Sequence, residues 1–97
     1  MAILKAADSL VQLGIASERA GLTEVVFQSA RSLLMILTMA AWEDKFQLQQ
    51  EIVVRMDKLA DELGRDLIQL AFQCGMRPEA RSMGKLMYVE SSDLFNR

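Results

Sequence analysis

Residues 44–74 read DKFQLQQEIVVRMDKLADELGRDLIQLAFQC, and both faces of an amphipathic helix run through that stretch. Ile52, Met56, Leu59, Leu63, Leu67, Leu70 and Cys74 recur every three or four positions, with Glu51, Arg55, Lys58, Glu62, Arg65, Gln69 and Gln73 opposite them. That is the period of a helix with one dry side. Neither stripe loses phase at Gly64, which predicts a single helix through the glycine. The alternative is a break there, with Asp66 and Gln69 supplying the chemistry of a new helix start. A continuous helix would extend roughly 46 Å at ~1.5 Å per residue, against roughly 27 Å for each helix expected before it. Such surplus apolar length predicts that a second copy or another protein covers the far end.

Upstream, a helix is expected from about Ala2 to Ala20, with Ile3, Ala6, Ala7, Leu10, Leu13 and Gly14 on its apolar face. A glycine inside a helix costs about 1 kcal/mol relative to alanine, so Gly14 on the dry side predicts a close crossing. Gly21 suits the left-handed position just past a helix end. Thr23 then caps a second helix, and so short a link makes the pair antiparallel. From Leu34 to Trp42 this second helix is apolar almost all round, so it is expected in the centre of the fold or in a subunit interface. A tight turn follows, with Asp44 capping the third helix and Gln47 completing the box. Gly75 and Pro78 end the third helix. Beyond them, Pro78 opens a short helix to about Met87, or Leu86–Glu90 is extended; residues 88–97 are expected as a flexible tail. The fold class is all-α: an antiparallel bundle of three long helices plus a short C-terminal helix or extended tail, in one domain over 1–97.

Composition excludes several chemistries. The 97 residues contain no histidine, which removes the commonest general base, the usual zinc ligand spacings and the common hydrolase triads. No catalytic residue, cofactor or metal is expected. Asp57 with Asp61, and Glu62 with Asp66, stand at helical i,i+4 spacing and are read as parts of a solvated face rather than as a cation site. Glu51–Arg55 and Asp61–Arg65 are read as helix ion pairs contributing about 0.2 to 0.5 kcal/mol each. The single cysteine, Cys74, is expected as a small buried hydrophobe in a reducing, cytoplasmic setting. A net charge of -2 argues against a phosphate-holding surface. Lys5 and Asp8 interrupt the amino-terminal apolar residues, and the run from Leu33 to Trp42, broken only by Thr38, is about half the ~20 residues of a membrane span, so no membrane contact is expected.

Ser17, Gly21, Leu22, Phe27 and Ala30 have the spacing of a helix-turn-helix, and the stretch from Ile15 to Leu33 resembles the DNA-reading unit of many bacterial regulators. The resemblance implies that Thr23, Glu24, Gln28 and Arg31 face the groove. That face carries one arginine and one acid, whereas attraction to phosphates normally dominates affinity. A small DNA-binding regulator is therefore the secondary expectation. The segment from Leu10 to Ala30 also resembles helical-hairpin repeats that stack into solenoids, with Ala16, Glu18, Phe27 and Gln28 returning as Ala60, Glu62, Phe72 and Gln73.

The leading expectation is a non-catalytic interaction or assembly module, self-associating as a homodimer. Seven methionines offer flexible, polarisable surface. Met35, Met39 and Met56 are expected to fill core gaps, whereas Met83 and Met87 are expected to dock onto the far half of helix three or onto another subunit. The expected interface joins the second half of helix two to that far half, through Leu37, Trp42, Leu67, Leu70, Met83 and Met87.

Overall fold

The computed structural model describes residues 2–80 and 86–91. Their order is α1 (Ala2–Arg19), α2 (Thr23–Trp42), α3 (Phe46–Glu62), α4 (Leu67–Gln73), β1 (Met76–Ala80) and β2 (Leu86–Glu90). The three long helices pack against one another, and α2 lies at the centre, touching α1, α3, α4 and β2. The all-α bundle is as expected; of the two carboxy-terminal alternatives Leu86–Glu90 takes the extended one, as β2 of a two-stranded antiparallel hairpin with Met76–Ala80.

The long third helix is not continuous. It stops after Glu62, and α4 begins at Leu67. Gly64 stands at φ 69°, a left-handed conformation that only glycine adopts without a steric penalty. Its N–H donates to Asp61 O at 3.1 Å and the Arg65 N–H to Ala60 O at 2.9 Å, the paired bonds of a Schellman ending. Asp66 then caps α4 by accepting from the Gln69 N–H at 2.7 Å, which satisfies one of the free amides of the first turn. Phase conservation reported which residues are dry, not whether one axis carries them. Without the rod, the inference of a companion from surplus helix length is overturned: α3 has 17 residues against 18 in α1 and 20 in α2.

α1 and α2 end by the same device. Gly21 (φ 74°) and Asp44 (φ 57°) occupy the left-handed position. The Leu22 and Lys45 amides reach back to Ser17 O (2.8 Å) and Ala40 O (2.9 Å). Only one residue separates each left-handed position from the next helix, so the caps fall on Leu22 and Lys45, neither of which makes a side-chain cap bond. This corrects the expected caps at Thr23 and Asp44. Thr23 is already helical, and Asp44 ends α2 instead of starting α3.

The dry face of α1 is Ala7, Val11, Gly14 and Ile15, with Leu4 and Leu10 partly buried beside it; Leu13 and Ile3 are exposed. Gly14 marks the expected crossing. A Cβ built there would lie 2.9 Å from Leu59 Cδ1 of α3 and 3.7 Å from Ser29 Cβ of α2. The missing side chain thus lets α1 sit against both neighbours at once. At the rim, Arg55 ties α3 to α1, its Nε donating to Asp8 at 2.7 Å and its Nη1 to Glu51 at 3.0 Å. The Asp61–Arg65 pair is replaced by Arg65–Glu18 at 3.4 Å, because the Gly64 ending takes Arg65 off the helix.

In the hairpin, Pro78 lies opposite Tyr88. Proline has no N–H to give its partner strand, and Tyr88 turns its own polar groups the other way, onto α2. The Tyr88 N–H donates to Thr38 Oγ1 at 2.8 Å, and the Thr38 hydroxyl donates to Tyr88 O at 3.0 Å. Tyr88 is buried, as are Met76 and Met87. Residues 88–91 are therefore part of the packed structure rather than of a tail; the remainder, 92–97, lies outside the described residues.

Candidate interaction surface

α2 buries Val26, Ser29, Ala30, Leu33, Leu34, Leu37, Ala40 and Ala41. Its opposite face starts polar, with Glu24 and Gln28 exposed. Then it changes character. Met35, Met39 and Trp42 succeed one another at spacings of four and three, which places them in one line along the helix. They are 51%, 57% and 68% exposed. β2 runs beside this line, so Tyr88 and Val89 form the other wall of an open groove of about 420 Å³. By length and composition α2 is apolar enough to cross a membrane, at a mean hydropathy of 1.4; within this fold 44% of that stretch is buried. The apolar character thus divides between a core side and the exposed stripe. Each end of the stripe carries one charge of each sign: Arg31 paired with Glu90 at one, Glu43 with Lys45 at 2.8 Å at the other.

Of the expected interface residues among those described, only Trp42 is largely open. Leu37 and Leu70 are 0% exposed, Met87 is buried, and Leu67 is half-buried against the core. Met83 lies outside the described residues. The two surfaces expected to meet across subunits instead meet within one chain, where α2 contacts both α4 and β2. Met35 and Met39 reverse the expectation in the other direction: Met56 fills the core as expected, but these two face solvent. Met35, Met39 and Trp42 continue the polar side of the helix beyond Arg31, but within a run that is apolar almost all round their spacing does not by itself mark them as the exposed side.

Arg31 is the one cation on the face that resembles a recognition helix. Its Nη1 donates to Cys74 O at 3.3 Å and its Nη2 pairs with Glu90, so both arms of the guanidinium are turned to the hairpin side. Gln73 and Cys74 at the end of α4 share a groove with Glu24 and Gln28. The repeat correspondence also separates in space, since Ala16 is exposed and Ala60 buried. Glu62 and Asp66 are divided by the α3–α4 turn, and the Asp66 carboxylate is spent on its cap. Among the described residues no group of three or more candidate ligands gathers as a metal site requires.

The titratable groups off their ordinary values are held in their usual protonated forms. Burial pushes the Cys74 thiol up, against the pull of Arg31. The Cys74 Sγ donates to Ala71 O at 3.3 Å. Hydrogen bonds to Glu51 and Asp8 push Arg55 up. Burial, with a further contribution from Asp57, pushes the Tyr88 hydroxyl from 10.0 up to about 12, because the charged form is the one that loses water. The folded chain holds that proton more tightly than the unfolded chain. Its contribution to stability is therefore whole below about pH 10 and is lost as pH rises through about 12. Tyr88 is the only tyrosine, so phenolate absorbance reads it directly. The expected midpoint lies near 12, with unfolding by urea becoming easier across the same window; a midpoint at the ordinary value in the folded chain would place the ring in solvent.

Comparison with family models, curated proteins and solved structures finds no match for this chain.

Proposed function

We propose that the chain is a non-catalytic helical interaction module that self-associates through the exposed stripe of α2. The observation that carries this reading is the solvent-facing line Met35, Met39 and Trp42. A helix wet on that side gains nothing from such residues, whereas methionine and aromatic side chains are enriched at the centres of protein interfaces and polar residues at their rims. The charge pairs Arg31–Glu90 and Glu43–Lys45 supply such a rim. The non-catalytic part is supported by a sequence without histidine, which removes the commonest general base. A cytoplasmic setting belongs to the same proposal, since Cys74 is a free, buried thiol.

Sedimentation equilibrium of the full chain over a wide range of concentrations tests it. The weight-average mass is expected to climb from the 10.9 kDa of one chain towards twice that value. A mass of one chain at every concentration overturns self-association.

A further inference from the structure

We infer that the chain forms a second state, a domain-swapped dimer in which the turn at Gly64 straightens, α3 and α4 run on as one helix, and two copies exchange α4 with its hairpin. Three features of the turn carry this, independently of the α2 stripe. First, the dry positions keep helical phase across it: Leu59 and Leu63 are followed by Leu67, Leu70 and Cys74. Straightening therefore leaves one apolar face, whereas helices joined out of phase would turn part of it to water. Second, the backbone bonds of the turn change partner without loss. The Gly64 N–H donates to Asp61 O and the Arg65 N–H to Ala60 O; in a straight helix they donate to Ala60 O and Asp61 O, and the amides of Asp66, Leu67 and Ile68 reach the carbonyls of Glu62, Leu63 and Gly64. Arg65 exchanges Glu18 for Asp61, four positions back on the same helix. Third, Gly64 holds the left-handed position at φ 69° with nothing within 4 Å of where a Cβ would stand. The turn is thus fixed by the backbone of one residue and not by packing around it.

What opening uncovers fixes the occupant. α4 and β2 lie against α2, and Leu70, Ala71 and Tyr88 share one core cluster with Leu33 and Leu37. An opened chain by itself wets both halves of that contact, so it is not a stable monomer. The surface that matches the uncovered half is the one just vacated, and a second opened copy carries it. There the Thr38–Tyr88 bonds and the Arg31–Glu90 pair re-form between chains. The exchange is reciprocal, as a closed two-fold dimer requires, and short hinges are where such swapping occurs.

Gly64→Ala separates the two states. In the turn an alanine meets no atom but must adopt a conformation that L side chains disfavour; in a straight helix it replaces a poor helix former by the best one. Both effects favour the open helix, and a dimer has two such hinges. Its dissociation constant is expected to fall roughly a hundredfold, about tenfold for each hinge. The full chain and its variants are refolded from urea at high concentration, separated by size exclusion, diluted, and weighed by sedimentation velocity. Gly64→Ala should yield a dimer that keeps its mass for hours after dilution, because return requires α4 and the hairpin to undock from both copies, and its far-ultraviolet circular dichroism should be at least as helical as that of the parent. Two glycines inserted after Arg65 relax the turn and should abolish that long-lived dimer. Met39→Glu on the α2 stripe should leave it intact while removing any association that exchanges within seconds, so the two modes of pairing fail separately. A folded Gly64→Ala chain that keeps the mass of one copy, or whose dimer dissociates within seconds of dilution, overturns the exchange. If Gly64→Ala does not fold, the parent chain refolded at the same concentration decides: a long-lived dimer fraction supports the exchange, and its absence overturns it.

Discussion

Leu70→Asp is expected to unfold the side of the molecule built from α4 and the hairpin, and with it most of the domain. Leu70 has no exposed surface and belongs to the same cluster as Leu33, Leu37, Ile52, Cys74 and Tyr88. An ionised carboxylate without a partner there costs on the order of 3–5 kcal/mol, and the transfer energy of the lost leucine adds to it. A domain of this size has about 5–15 kcal/mol in total. Urea unfolding followed by circular dichroism should show the midpoint collapse or the folded baseline vanish. Ile68→Asp on the same short helix is the control. Ile68 is half exposed. Its substitution should stay within about 0.5 kcal/mol, as surface changes usually do. Near-native stability of Leu70→Asp would mean that α4 does not dock on α2.

Gly14→Leu should be nearly as damaging, for the opposite reason. The site lacks room for even a first carbon, since a Cβ at Gly14 meets Leu59 Cδ1 at 2.9 Å. Leu59 is fully buried and cannot swing into water. A leucine there has to push α1 away from α3 and Ser29 of α2, and overpacking of this kind costs about 3 kcal/mol or more. Gly14→Ala separates steric cost from helix propensity. It gains up to about 1 kcal/mol of intrinsic helix preference, while the offending atom is the tip of one leucine, so the two effects nearly cancel. A calorimetric melting temperature for each variant checks the pair. Equal effects from alanine and leucine would show that α1 does not approach α3 at this point.

Much of the frame was legible from local chemistry. Gly21 and Gly75 sit where helices were expected to stop, and each adopts the left-handed conformation that glycine alone takes freely; Gly64 does the same where one helix was expected to continue. Asp44 takes the same role with a side chain that tolerates it. An unbroken stripe, by contrast, does not mean an unbroken axis. Asp66 and Gln69 carry the signature of a new start, and it proves stronger than the phase. The extended form of Leu86–Glu90 was legible as one of two alternatives, but its partner strand was not, because Pro78 fits the first turn of a helix as well as a strand position opposite a residue that bonds elsewhere. Thr38 looks like an accident in an apolar run. Its purpose lies fifty positions away at Tyr88, and no periodicity within one helix reports a partner so distant. The stripe on α2 escapes a reading of sequence for a related reason: composition gives the apolar content of a helix, but only the placement of its neighbours decides which part of it stays wet.

The clasp between Thr38 and Tyr88 also bears on what the molecule does when crowded. A short two-stranded ribbon ordinarily offers its rims to any passing chain, and stacking by strand addition has no natural end. Here one rim is occupied by a hydroxyl that satisfies both backbone groups of Tyr88, and the other is interrupted by a proline that has nothing to donate. Growth into fibrils is thereby discouraged at the two places where it would begin.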